Sequence, residues 1–325
     1  MKIRLIFITL LLPMLSSVFA LKTAYATEIY KTDDKSFDVS GRMALMSQSG
    51  KSDASINDLG SRLQLSFTSY EIKDVTVKAV TLWGIGTQDK HTKEKSFLTN
   101  RESYIEASNK VYGKVKIGKF TNVISDNVLL KTDKTYVAKI DSGLTNTMPD
   151  GEGSDFTQWR IRKAVAYENN IGIVKFGLQG QGKQEDITRD KSLGAYINVD
   201  NKIFSIAYGY NKSNFDLYDS TQHMVGSSLS LGNFYIGLSA SQFDNLLEIE
   251  ESNTKSYSFY TSYNLNQFKP YLAYEEVRNK SKEYVWGVQY VPSKSLWLIY
   301  EASKLNNLKL ETNNYIHSFV VRYNI

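Results

Sequence analysis

The chain of 325 residues contains no cysteine and only 4 prolines. Without thiols it has neither disulfide staples nor a cysteine nucleophile, so an exported chain of this kind must draw its stability from one large cooperative fold. Histidine is almost as scarce: His91 and His223 read as loop or strand-end residues, and His317 reads as outward-facing on the last strand. Neither a G-x-S-x-G elbow nor an H-E-x-x-H pair is present, which argues against an enzyme, and dispersed acids argue against a metal site or other cofactor. A one-signed charge excess is also missing, since 39 basic residues oppose 34 acidic ones without forming a stripe. That leaves no footprint for nucleic acid. Beyond residue 26 no apolar run approaches the roughly 20 residues of a membrane-spanning helix.

The first segment differs from the rest. Lys2 and Arg4 precede an apolar run from Leu5 to Ala20, and Leu21-Lys22-Thr23-Ala24-Tyr25-Ala26 ends small-x-small. Residues 1–26 are expected to be a secretory signal peptide cleaved after Ala26, with Ala20 as the alternative site. The remainder, 27–325, is expected to form a single domain. Its charge is nearly balanced once Lys2, Arg4 and Lys22 are gone.

Aromatic residues are abundant, at 22 Tyr, 15 Phe and 4 Trp, although mean hydropathy is only −0.35. Period-2 alternation reconciles the two. Phe204, Ile206, Tyr208 and Tyr210 alternate with Ile203, Ser205, Ala207 and Gly209; Phe234, Ile236, Leu238 and Ala240 alternate with Tyr235, Gly237, Ser239 and Ser241. A soluble β-sandwich would turn the large apolar face to a shared core, and a membrane barrel would turn it to lipid with water inside. Turn spacing favours the barrel. Strands are expected near 36–46, 60–70, 73–85, 97–109, 111–120, 156–168, 171–181, 190–200, 201–211, 221–232, 233–243, 254–265, 267–277, 283–291, 294–303 and 314–324, with tight turns alternating with longer polar loops. The fold class is thus all-β, a transmembrane antiparallel β-barrel of sixteen strands, with fourteen or eighteen left open. The last strand must pair with the first, because an unpaired edge in lipid costs several kcal/mol per backbone group.

The pattern is interrupted once, from about 121 to 155, where Asn146-Thr147-Met148-Pro149-Asp150-Gly151-Glu152-Gly153 sets acids among glycines. A loop this long inside a compact chain is usually functional, and it is expected to fold into the lumen. Opposite it, Arg42 and Arg62 have the parity that faces away from Val39, Met43, Leu63 and Leu65, and Arg160 and Arg162 have the parity opposite to Ile161 and Val165. An arginine facing lipid at mid-depth costs about 2 to 4 kcal/mol, so these are expected on the inner wall. Lys114 and Lys116 share the lumen parity of their strand. Tyr112 and Phe120 are scattered inward aromatic candidates.

Taken together, Phe37-Asp38-Val39-Ser40-Gly41-Arg42, Gly60-Ser61-Arg62-Leu63-Gln64-Leu65, Thr99-Asn100-Arg101-Glu102-Ser103-Tyr104, Ile117-Gly118-Lys119 and Phe156-Thr157-Gln158-Trp159-Arg160 resemble the trimeric general diffusion porins of the Gram-negative outer membrane. The resemblance implies a water-filled channel for passive diffusion of small hydrophilic solutes and ions, a homotrimer, and contact with outer-membrane lipid and lipopolysaccharide. It also implies a constriction in which Asp150 and Glu152 on the third loop face Arg42, Arg62, Arg101 and Arg160 on the wall, with Asn146 where the family carries a second loop acid. Such a constriction should prefer cations weakly, or lean to anions. Glu102 and Glu106 share the parity of Tyr104, and Lys163 that of Ile161, which reads as outward; either a trimer interface or a local bulge would account for them. Two other classes compete with a general pore: a sugar- or anion-specific channel of the same barrel, and an outer-membrane enzyme or adhesin.

Overall fold

The computed structural model describes residues 27–50, 55–86, 98–138, 140, 160–183, 189–215, 219–245, 253–308 and 312–325. The expected signal segment, His91, Asn146, Asp150 and Glu152 lie outside the described residues. Eighteen strands run from β1 (Thr27–Lys31) to β18 (Thr312–Asn324). Sixteen of them, β2 and β4 to β18, form a closed antiparallel barrel. All sixteen expected strands are present.

Alternation dictates the strands, and burial shows which face is which. Along β14 (Thr254–Tyr263), Thr254, Ser256, Ser258 and Ser262 are buried while Tyr257 and Tyr263 are exposed. On β13 (Phe234–Asp244), Ser239 and Ser241 are buried and Leu238 is half exposed. Small polar groups inside and large apolar groups outside invert the order of a water-soluble protein. The sandwich alternative fails on this inversion.

Closure is made by β18 against β2 (Lys35–Ser49), from His317↔Ser49 to Asn324↔Arg42. Two further backbone bonds join Ile325 to Gly41. The lower half of β2 pairs with β4 (Arg62–Ile72) on one side and with β1 on the other. Its upper half pairs with β18 on one side and with the short β3 (Ser55–Asp58) on the other. β1 and β3 thereby cover stretches that the ring strands leave open, and no edge of β2 is bare.

Seven tight turns gather at one end of the barrel, among them Lys73-Asp74 and Gly232-Asn233. Asp74 and Gly232 have φ of 62° and 57°, the left-handed conformation that Gly, Asn and Asp adopt most readily. Two turns, at Lys73-Asp74 and Gly172-Ile173, fall two or three residues later than expected because the strands run on past their polar residues.

Between β7 (Gly113–Thr121) and β8 (Arg160–Ile171) the chain enters the lumen. Asn122 ends the strand and caps helix α1 (Val123–Val128), its Oδ1 accepting from the amides of Ile124 and Ser125. A turn of 3-10 helix, Leu129–Lys131, follows. Val123, Ile124, Val128 and Leu129 are all buried and pack with Phe120, Ile161, Tyr196 and Met224 of the wall. Burying each such side chain contributes about 1.5 to 3 kcal/mol.

The wall makes room for this segment. Gly194 on β10 (Arg189–Asp200), Gly209 on β11 (Phe204–Phe215), Gly226 on β12 (Asp219–Leu231) and Gly237 on β13 follow a diagonal, each two residues off the cross-strand partner of the one before. A Cβ at Gly226 would overlap the carbonyl of Val128, and one at Gly237 that of Lys131. At Gly209 it would come within 2.6 Å of Ile124 Cγ2. The glycines form a groove in which helix backbone touches strand backbone.

Candidate functional site

The charged part of the inner wall begins at β18 and runs through β2, β4 and β6 (Leu98–Asn109) to the start of β8. Arg42 and Arg62 are direct cross-strand partners, and Arg322 lies beside Arg42, opposite Ala44. Arg42 is within electrostatic range of Arg62, Arg322 and Arg101, and Arg160 of Arg101 and Arg62. Five guanidiniums therefore form a ladder across neighbouring strands. Two of the five, Arg42 and Arg322, are held by specific hydrogen bonds. Arg42 Nε donates to Gly60 O at 2.9 Å, in a turn that Asp58 fixes by accepting from the amides of Gly60 and Ser61. Arg322 Nε donates to Asn324 Oδ1 at 2.8 Å, and its guanidinium lies 4.3 Å from the centre of the Trp297 ring.

Arg101 reaches the ladder through a bulge. β5 (Val75–Ile85) pairs Leu82 with Glu102 and then Trp83 with Asn100, so Arg101 is left over. Its side chain lies across Gly84, the partner of Arg62. Glu102 also points inward, accepting from Thr121 Oγ1 at 2.9 Å and lying 3.4 Å from Arg160 Nε. A bulge places two successive side chains on one face.

This corrects the outward placement expected for Glu102 and Glu106. Tyr104, whose parity they share, is an inner-wall residue packed edge-on against Phe120, and Glu106 lies 3.7 Å from Lys116. Large apolar side chains were read as outward, but beneath α1 the inner wall is itself apolar. Ile161 breaks the rule the same way, being fully buried against the segment. Lys163 sits at a second bulge, with φ of 51°, where β8 carries one residue more than β7 between Ala164 and Ile161. A bulge accounts for Lys163, whereas Glu102 and Glu106 face the lumen because Tyr104, whose parity they share, does so. Arg162 stands at that bulge, its carbonyl accepting from Gln181 Nε2.

Lys114 and Lys116 face the lumen as expected, but each meets an acid: Lys114 Nζ is 2.9 Å from Glu168 Oε2. Of the aromatic candidates, Phe120 is buried under α1, while Tyr112 is 76% exposed in a turn. His223 is mid-strand and exposed rather than in a loop, bonded to Tyr208 Oη; His317 is exposed and bonded likewise to Tyr300 Oη. Both decorate the outer face.

The far end of the crossing segment is fixed by Glu301 on β17 (Leu296–Asn307). Its carboxylate is 1% exposed. It accepts from the amides of Tyr136, Val137 and Ala138 at 2.8, 2.9 and 2.6 Å, and from Tyr271 Oη at 2.7 Å. Four donors to one buried carboxylate make a strong, directional latch. Between latch and helix, Asp133 and Lys134 face the arginine ladder across a cavity of about 380 Å³. Burial lowers the Lys134 ammonium below the ordinary lysine range, against the opposing pull of Asp133. Arg322, Asp133 and Glu301 were not anticipated. Arg322 had visible lumen parity on the last strand, whereas nothing local marks the other two.

Residues 16–303 match the family model for Gram-negative porins. The chain belongs to the Gram-negative porin family. No curated protein matches it in sequence. Among solved structures it is similar to an OmpF of Salmonella typhi in complex with daunomycin, at TM-score 0.77 and 14% identity over 92% of this chain and 100% of that one. It is also similar to an anion-selective porin from Comamonas acidovorans, at TM-score 0.74 and 17% identity over 90% and 100%. OmpT of Vibrio cholerae in its trimer form follows at TM-score 0.68 and 14% identity over 90% and 100%. At these identities the structures share the fold. Family and barrel together make this porin an outer-membrane channel.

Proposed function

We propose that this porin passes small hydrophilic solutes and ions passively, without catalysis, and that its constriction leans toward anions. The observation that carries the reading is the arginine ladder: Arg42, Arg62, Arg101, Arg160 and Arg322 line one side of the lumen, with Lys134 and Lys269 beside the cavity they face. On the described part of the opposing segment Asp133 is the acid that lines the cavity with Arg42 and Arg322, and Glu102 offsets Arg160. Adjacent guanidiniums repel strongly at low dielectric and weakly beside water, so the ladder suits a wet wall that concentrates anions. Asp150 and Glu152 complete the negative side in this proposal, with Asn146 neutral and Arg162 at its margin.

The rest of the proposal is supported by family membership. Residues 1–26 are removed on export, 27–325 form the barrel domain, and the mature protein is a homotrimer in contact with lipid and lipopolysaccharide. A planar bilayer holding the reconstituted protein under a KCl gradient tests the selectivity. An anion-leaning reversal potential is expected, moving toward cations in Arg42→Gln/Arg62→Gln; clear cation preference in the unaltered protein overturns the reading.

A further inference from the structure

The cavity between the ladder and the crossing segment is divided by chemistry. Arg42, Arg322, Lys134 and Lys269 bring positive charge to it against Asp133, while Trp297 and Val320 give it an apolar floor. A wall built only to attract hydrated chloride gains nothing from that floor, since an ion that keeps its water makes no use of an indole ring.

The groups are set in place before any solute arrives. Arg322 is fixed through its Nε by Asn324 and lies face-on to Trp297. Trp297 in turn meets Tyr136 in a T-shaped contact, with ring centres 6.2 Å apart at 82°. Tyr136 is held by its amide on Glu301 and by its hydroxyl on Gln289. Lys134 and Lys269 lie over the rings of Tyr235 and Tyr260, at 4.9 and 5.9 Å. Fixed side chains lose little freedom on binding, so more of the contact energy appears as affinity.

We infer that this cavity is a binding station for organic monocarboxylates with a compact apolar body, aromatic carboxylates above all. The planar carboxylate fits the fork of a guanidinium, and the ring fits against the partly exposed Trp297, behind which Val320 is buried. The lining is mostly polar, so charge supplies the attraction and the Trp297 indole selects among anions. A dianion such as phosphate would meet the same cations but would leave the floor unused. The inference rests on the lumen being the solute path proposed above, and it names which anions that path retains.

Three probes at equal concentration in symmetrical KCl test it on the reconstituted protein: benzoate, acetate and benzyl alcohol. Benzoate is expected to interrupt single-channel current saturably, at a concentration at least tenfold below that at which acetate does so, and benzyl alcohol is expected to leave the current unchanged. Trp297→Leu should weaken the benzoate effect at least fivefold and leave acetate alone; Arg322→Gln should weaken both. Heat-modified electrophoretic mobility checks that both variants are folded barrels, and the three-probe comparison on unaltered protein stands without them. Equal effects of benzoate and acetate under an anion-leaning reversal potential overturn the station alone. Interruption by benzyl alcohol as strong as by benzoate also overturns it, since charge would then play no part. A cation-leaning reversal potential with benzoate interruption intact overturns the selectivity reading and leaves the station standing.

Discussion

The two ends of the segment that crosses the lumen are held by opposite means. At α1 the contact is dry: Ile124, Val128 and Leu129 lie in the glycine groove of β10 to β13, and the binding energy is non-directional burial. At Tyr136–Ala138 it is polar and directional, with Glu301 taking three amides at once. Dispersed apolar contacts lose strength gradually as residues are trimmed, whereas a single buried acceptor fails all at once, leaving several donors unpaired. The difference explains the placement of function. The groove seats α1 against β10 to β13, and the latch holds Tyr136–Ala138 beside the cavity that Arg42 and Arg322 line, so the proposed solute path lies on the charged side.

The largest expected effect comes from breaking the latch. Glu301→Ala leaves the amides of Tyr136, Val137 and Ala138 and the hydroxyl of Tyr271 without their acceptor, at about 1 to 3 kcal/mol for each group that finds no substitute. Single-channel traces should become noisy, with fluctuating conductance, and urea unfolding of the detergent-solubilised barrel should shift to lower concentration. Glu301→Gln keeps an acceptor oxygen and should show the milder form of both changes. A quiet channel of unaltered conductance in Glu301→Ala would mean that the dry end alone holds the segment.

Filling the groove attacks the other end. Gly226→Val puts side-chain atoms where the carbonyl of Val128 lies, and overpacking of this kind costs about 1 to 3 kcal/mol. Because the latch is untouched, α1 should lift from the wall while Tyr136–Ala138 stays put, narrowing the path. Lower conductance with steady current is the expected reading, distinct from the noise of a broken latch. Asn122→Ala is gentler: loss of the helix cap costs about 1 kcal/mol, although Gln179, which donates to the Asn122 side chain and accepts from the Val123 amide, retains the second of those bonds.

The two ends also differ in how far they could be read from sequence. All sixteen ring strands and the closure of the last on the first were visible, because lipid on one side and water on the other force an alternation that few other folds need. The same rule failed at Tyr104 and Ile161, where an apolar side chain faces inward because the crossing segment covers it. Glu102 was misplaced with Tyr104, whose parity it shares, while Arg101, expected on the wall from the resemblance, reaches it through a bulge that carries no local mark such as glycine or proline. The glycine groove was partly written, since Gly209 and Gly237 stood among the small residues of alternating strands, but its diagonal exists only once the register is known. Glu301 could not be found at all: its partners lie 163 to 165 residues away, and a glutamate on a lumen-parity position looks like any other solvated charge.

The smallest effect is one of pH, and it separates the two ends most finely. Asp126 lies on α1 at the dry end; burial, followed by the nearby Glu168 carboxylate, pushes its carboxyl above the ordinary aspartate range, while Lys116 and Lys114 pull it back. A carboxyl raised in the folded state favours the docked segment when protonated. Its contribution is fully present below the unfolded pKa and is lost as pH rises through the folded one. The docking of α1 should therefore loosen modestly as pH rises through that window, seen as falling amide protection factors at Val123–Val128, the base-catalysed intrinsic rate being divided out. Asp126→Asn should hold the higher protection at the upper end of the window, and the amides of Tyr136–Ala138 should keep their protection throughout. If the protection factors at α1 and at the latch fall together as pH rises, the two contacts are one cooperative unit and the division between a dry end and a polar end has no thermodynamic meaning.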